Sequence, residues 1–176
     1  MTTVETIILT EEDIDRTVKR LTHEMLEANH GSKDLVLIGL VTRGKQLAER
    51  IGRYLEETEH HPVPVGYLDV TLYRDDTVHT FKPAGNSVIP VDISGKTVIL
   101  VDDVIFKGRT VRAALDALTA YGRPASVQLL VLLDRGHREL PISPNYVGRM
   151  IPTSVTERVN VQLREVDGKE QVTILK

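Results

Sequence analysis

Apolar positions recur at helical spacing from residue 10, where Thr10 can cap a helix carrying Ile14, Val18, Leu21 and Met25 on one face. Asn29-His30-Gly31 offers the stop. LVLIGL, residues 35–40, is an unbroken apolar run, short enough for a strand buried on both faces. TRGKQLAERIGRYLEE then restores helical spacing through Leu47, Ile51 and Leu55, and after Pro62 and Pro64 the run VGYLDVTL predicts another strand. Residues 74–95 have no helical period and contain two prolines and two glycines, which predicts a long mobile loop or a poorly packed hairpin. A strand at 98–101, a helix at 110–121 closed by Gly122 and a strand at 127–133 follow. This alternation predicts an α/β fold with a mainly parallel sheet flanked by helices. From about Asp134 the pattern changes: a strand-like VNVQLRE, a turn at 166–169 and a final QVTIL predict an antiparallel hairpin.

The 176 residues suit one domain, and no repeat, low-complexity tract or linker divides them. Hydrophobic residues make up 41% and charged residues 27%, as in soluble globular proteins. No apolar run approaches the roughly 20 residues of a membrane span. The acidic start MTTVETIILTEEDID shows no signal-peptide pattern. With no cysteine, disulfides and thiolate metal sites are excluded, and a cytoplasmic location is expected. A net charge of −3 argues against a generally basic nucleic-acid binder but leaves room for a local basic face.

The chemistry concentrates in VILVDDVIFKGRT, residues 98–110. In a parallel sheet, ligands gather beyond the carboxyl ends of the strands, where turns lead into helices. Backbone N–H groups and the helix dipole favour a phosphate there, and Gly108 lets the backbone come close. Lys107, Arg109 and the Thr110 hydroxyl add donors. Carboxylates only accept, so Asp102 and Asp103 suit hydroxyl groups or a hydrated metal. A phosphate beside a diol describes a ribose 5-phosphate. The same residues also suit a plain metal site or a helix cap, and the spacing is not that of a P-loop. Thr42-Arg43-Gly44, after LVLIGL, has the composition of an oxyanion clamp or of an ordinary helix start with a solvated arginine.

VILVDDVIFKGRT resembles the phosphoribosyl-diphosphate signature of type I phosphoribosyltransferases. LTHEMLEANHG, VTRGKQLAERI, VPVGYLDVTLYRDD, GRPASVQLLVLLDRGHRELPI, VGRMIPTS and EVDG resemble one branch, the PyrR family of pyrimidine operon attenuation proteins, over nearly the whole chain. The resemblance implies a single type I phosphoribosyltransferase domain over 1–176. Its core would span about 32–135, and the N-terminal segment and about 136–176 would form a small hood. It implies uracil phosphoribosyltransferase activity, making UMP and diphosphate from uracil and phosphoribosyl diphosphate. It also implies binding of a pyrimidine-gene mRNA leader under control of UMP or UTP, and a homo-dimer or higher oligomer. A uracil salvage enzyme without an RNA role is the alternative.

Carried over residue by residue, Asp102 and Asp103 meet the ribose hydroxyls, Lys107, Gly108, Arg109 and Thr110 bind the 5-phosphate, and Val104, Ile105 and Phe106 belong to the same nucleotide-binding stretch. Relatives usually carry Thr where this chain has Lys107, so one hydroxyl donor is exchanged for an ammonium. Thr42, Arg43 and Gly44 match the diphosphate loop, and Arg74 opens a loop that closes over the ligands, giving Asp102, Asp103 and Arg74 the catalytic roles. Asp69 suits a metal or ligand contact or a structural turn equally. Mg²⁺ is expected through the substrate diphosphate, with no direct protein ligand. Purine-specific relatives place an Asp at Phe106, so a pyrimidine is favoured, with Asp134, Arg135 and His137 beside the base. Lys19, Arg20, His23, Arg138 and Arg149 match the RNA face, although relatives often carry a hydroxyl residue near Lys19 and an Arg near Val155.

Overall fold

The computed structural model describes residues 4–71 and 86–176. In chain order the elements are β1 (Glu5–Leu9), α1 (Glu11–Ala28), β2 (Leu35–Leu40), α2 (Arg43–Glu59), β3 (Val65–Leu68) and β4 (Thr97–Ile105). They continue with α3 (Arg109–Leu118), β5 (Ser126–Asp134), β6 (Tyr146–Met150), β7 (Arg158–Gln162), α4 (Arg164–Asp167) and β8 (Gln171–Leu175).

Five strands form a parallel sheet in the order β3-β2-β4-β5-β6. A second, antiparallel sheet, β1-β8-β7, joins the two chain ends. β2 is buried along its whole length, as its unbroken apolar run predicts. Alternate residues of the central strands feed two cores. Leu37, Ile99, Val101, Leu130 and Leu132 pack with residues of α1, α2 and the small sheet. Val36, Ile38, Leu40, Leu100 and Val131 pack with α3.

Helix α1 starts where the sequence placed it. Thr10 accepts a hydrogen bond from the Asp13 N–H, and the Asp13 carboxylate accepts from the Thr10 N–H. Ile14, Val18, Leu21 and Met25 are its buried stripe. The 98–101 strand is longer than expected: β4 runs from Thr97 to Ile105, so Asp102 and Asp103 lie within it rather than in the turn. Past Val101, β4 has outrun β2 but stays paired with β5 through Asp102, Val104 and Ile105, and that one-sided ladder holds the acids extended. VGYLDVTL is shorter than expected. β3 stops at Leu68 because the Asp69 carboxylate accepts from the Thr71 N–H and hydroxyl, closing a turn, while the Asp69 N–H donates to Ser87. Of the predicted 74–95 loop, 86–95 is described, and Val88 bridges to Tyr67. The VNVQLRE/QVTIL hairpin is present as β7 and β8, with the four-residue helix α4 between its strands. VGRM was not expected as a strand; it forms most of β6, at the sheet edge.

One close approach ties this architecture to the site. A Cβ on Gly39 would collide with the Gly44 carbonyl oxygen and lie 2.5 Å from the Lys45 Cα. A Cβ on Gly44 would in turn strike the Val101 carbonyl oxygen and lie 3.2 Å from the Asp102 Cα. Two glycines therefore let the first turn of α2 sit directly on the ends of β2 and β4. Gly39→Ala is expected to lower unfolding stability by roughly 1–3 kcal/mol, the cost of overpacking against backbone that cannot yield. Urea denaturation of the two proteins checks this.

Candidate functional site

β2 leads through α2 to β3 on one side of the sheet, whereas β4 leads through α3 to β5 on the other. The turns after β2 and β4 therefore diverge, leaving a crevice at the carboxyl ends of the strands. Described residues from both of those turns border it: Thr42 and Arg43 on one side, Asp102, Asp103 and the 107–110 loop on the other.

On the β4 side, Asp102 lines a cavity of about 190 Å³ together with Val104 through Val111. The Asp103 N–H donates to Asp102 Oδ1 at 2.9 Å, and the Val104 N–H donates to Asp103 Oδ1 at 2.8 Å. Successive strand residues face opposite ways. Asp102 thus opens into the phosphate-loop cavity, while the Asp103 charge acts on Arg43 across the crevice. Gly108 caps α3 at φ 93°, a conformation suited to glycine, and offers no side-chain cap to the helix. The start of α3, with Lys107, Arg109 and Thr110 around it, carries the donor types of an anion cradle.

Lys107 has a partner in Glu139. Its ammonium lies 3.0 Å from Glu139 Oε1, and Arg109 reaches the same carboxylate at 3.6 Å. The hydrogen bond from Lys107 holds the Glu139 carboxyl below its ordinary value despite some desolvation. The 135–139 segment runs along the loop: Arg135 and Glu139 N–H groups donate to the Ile105 and Lys107 carbonyls, and the Arg138 guanidinium donates to the Phe106 carbonyl at 2.9 Å.

The three residues expected beside the base surround Phe106 or support it. The Arg135 guanidinium stacks 4.0 Å from the Phe106 ring centre, and His137 meets the ring edge-on at 5.7 Å. Arg135 is buried and donates to Thr153 Oγ1 and to the Ser154 and Glu157 carbonyls. His137 holds the Thr153 carbonyl at 2.6 Å. Asp134 is buried and pairs with Arg138 at 2.5 Å. Burial pushes its carboxyl up, but the bonds from Arg138 and the Gly136 N–H outweigh it and the net shift is downward.

On the β2 side, Thr42 and Lys45 line a second cavity of about 640 Å³ with Tyr67, Asn86 and Ser87. The Lys45 ammonium lies 4.2 Å from the Tyr67 ring centre. Arg43 donates from Nε (3.2 Å) and Nη2 (2.7 Å) to both oxygens of Asp167, in α4. That bond raises the Arg43 pKa against the pull of burial, with Asp167 and Asp103 adding charge attraction, and it lowers that of Asp167. Arg74 lies outside the described residues. Among the described residues no group of three or more His, Cys, Asp or Glu is placed to hold a metal ion.

With the crevice, the acid pair and the cradle in place, the comparisons are informative. A family model described as phosphoribosyl transferase domain matches residues 6–164. "Bifunctional protein PyrR" of Chloroflexus aurantiacus is 54% identical over 172 residues, covering 96% of this chain and 94% of the relative. Its namesake from Bacillus pumilus is also 54% identical over 172 residues, with 96% of both chains covered. The chain belongs to the PyrR family. A hypoxanthine phosphoribosyltransferase from Staphylococcus aureus shares the fold, at 24% identity and TM-score 0.74 over 97% of this chain and 91% of that one.

The PyrR resemblance also named five RNA-face residues, and the structure distributes them unevenly. Arg20 in α1 pairs with Glu24 at 2.7 Å and donates to the Gly148 carbonyl, next to Arg149 in β6. Arg149 donates to the Ile8 carbonyl at 3.1 Å, and His23 is exposed on α1. Lys19 turns toward α2, pairing with Asp15 at 2.9 Å beside the Tyr54 ring. Arg138 is apart from them, its guanidinium engaged by Asp134, Phe106 and Ile142. Sequence reasoning missed Asp167 and Glu139. The first stands 124 positions from Arg43, a separation that no periodicity reveals.

Three ion-paired carboxylates contribute to the acid limit. The Arg138 and Gly136 bonds on Asp134, the Arg43 bond on Asp167 and the Arg50 bond on Glu165 lower each pKa beneath the ordinary values of 3.8, 3.8 and 4.5. A native pKa below the unfolded one adds stability that is present above the unfolded value and lost as pH falls through the native one. The urea midpoint is therefore expected to hold from pH 7 to about 5 and to drop progressively below that. Asp134→Asn should be less stable at neutral pH and show a smaller acid drop; equal drops in both proteins would contradict the assignment.

Proposed function

We propose that this chain is a uracil phosphoribosyltransferase that also binds a pyrimidine-gene mRNA leader in a uridine-nucleotide-dependent manner to promote transcription attenuation. The observation that carries this reading is the junction of β4 and α3, where a carboxylate and a glycine-opened, cationic helix start share one cavity. A ribose 5-phosphate satisfies both halves: its hydroxyls donate to Asp102 and Asp103, and its phosphate accepts from the 107–110 loop. Membership of the PyrR family supports pyrimidine rather than purine chemistry. Phe106, packed between Arg135 and His137, offers a ring where a purine enzyme would need an acid.

In the proposed reaction a uracil ring nitrogen forms a bond to ribose C1 as the bond from C1 to the diphosphate breaks, and the ring nitrogen loses its proton. Positive charge grows on the sugar beside Asp102 and Asp103, and negative charge on the leaving group beside the 42–44 loop and Arg74. Mg²⁺ suits this site because a hard cation that keeps its waters leans on substrate oxygens, with the acid pair at hand to receive those waters. It supplies charge neutralisation on the diphosphate. Asp134, Arg135 and His137 shape the base side.

Regulation draws on the α1–β6 surface, where Arg20, His23 and Arg149 stand near one another with Lys19 on the flank. Uridine nucleotide would favour the RNA-binding form through a difference in affinity between two states. No helix among the described residues is long and apolar enough to cross a membrane, and the proposed work is that of a cytoplasmic homo-oligomer.

One preparation tests both halves. With uracil, Mg²⁺ and phosphoribosyl diphosphate it should form UMP, and Asp103→Asn should lose about 10²-fold or more in rate, the scale of removing one charge-stabilising group. At low salt it should retard a structured pyrimidine-gene leader more strongly with UMP, and added salt should weaken that binding. Absence of turnover removes the enzyme half. Turnover without an RNA shift leaves the salvage enzyme.

A further inference from the structure

The near-terminal EVDG segment touches none of the phosphate-loop cavity, yet its Asp167 engages the opposite lip of the crevice. Both Asp167 oxygens accept from Arg43, and Oδ2 also accepts from the Leu163 N–H at 2.8 Å, so the carboxylate is fixed within its own turn. The contact has reinforcement two helical turns on. Arg50 donates to both oxygens of Glu165, at 2.9 and 2.6 Å, and to Glu170. Helix α2 is thereby bolted to the α4–β8 segment at two points, while Gly44 holds its first turn against the Val101 carbonyl on the other side. Thr42 makes no side-chain cap bond to α2, so the first N–H groups of this 17-residue helix have no cap competing for them. Meanwhile the Nε–Nη2 edge of Arg43 is spent on Asp167, leaving an ion pair with no net charge.

We propose that Asp167 is a positioning residue for the diphosphate site. Its ion pair with Arg43 pins the 42–44 loop to the small antiparallel sheet, and the backbone N–H groups of that loop, rather than the Arg43 charge, hold the diphosphate. The inference rests on the proposed transferase activity. It deepens that reading by making the two chain ends part of donor binding. Charge alone argues the other way: deleting an acid beside an anion site should tighten anion binding. The sign of the effect therefore separates positioning from electrostatics.

The experiment measures, on the intact chain, the KM for phosphoribosyl diphosphate and the Kd for UMP, which lacks the diphosphate. For Asp167→Asn the KM should rise about tenfold, a modest loss for a displaced binding group, whereas the Kd for UMP stays within about twofold. Asp167→Glu, which keeps the carboxylate, should recover most of the loss. Arg43→Lys, which loses the fork, should resemble Asp167→Asn. The double variant should be no worse than either single one, because both break one linkage. An unchanged or lower KM in Asp167→Asn overturns the proposal. So does an Arg43→Lys penalty that is equally large with and without Asp167, since Arg43 would then act on the ligand by itself. If the parent forms no UMP at all, the transferase reading fails and this inference goes with it. If the parent turns over and Asp167→Asn matches it, only the positioning role is lost.

Discussion

The arrangement depends on the reversal of strand order between β2 and β4. A parallel sheet that winds in one direction covers the ends of all its strands alike. Where the direction reverses, two consecutive turns separate and the sheet opens at its carboxyl end. Among the described residues, the candidate ribose-phosphate and diphosphate groups border that opening: the 42–44 loop after β2, the acid pair at the end of β4 and the 107–110 loop before α3. The opening is kept narrow by Gly39 and Gly44, which let α2 lie on the backbone of β4. A wider contact would move the 42–44 loop away from Asp102 and Asp103.

The phosphate loop and the base-side segment behave as one unit. Arg138, Arg135 and the Glu139 N–H tie residues 135–139 to residues 105–107, and the Lys107–Glu139 pair closes the edge. The Lys107 ammonium and the Arg109 guanidinium both balance the Glu139 carboxylate at the edge of the loop. Arg135, buried and bonded to the Ser154 and Glu157 carbonyls, extends the same unit toward the exposed 154–157 turn. A ligand that shifts Phe106 therefore presses on Arg135 and on that turn.

Much of this was legible in the residues because the relevant signals are local. Thr10, the Ile14-to-Met25 stripe and the apolar run of β2 each specify their element from within a few positions. The acid pair and Gly108 are local as well, since a strand, two acceptors and a glycine-opened helix start follow one another directly. The misreadings came where partners decide. Asp102 and Asp103 have poor strand propensity, and only pairing with β5 keeps them extended. The edge strand β6, with its Gly148 and Arg149, is held in the sheet by β5. Asp167 and Glu139 acquire meaning only when distant segments meet, and Arg138 likewise bonds to Asp134 and to the Phe106 carbonyl across the fold.

The central claim is that the β4–α3 junction takes the phosphate of a ribose 5-phosphate. Calorimetric titration of the intact protein with UMP and with uridine isolates that phosphate, because the two ligands share base and sugar. The account predicts that UMP binds at least about 10²-fold more tightly, the worth of one or two charge-assisted hydrogen bonds, and that added salt narrows the gap. Equal affinities for UMP and uridine would contradict it.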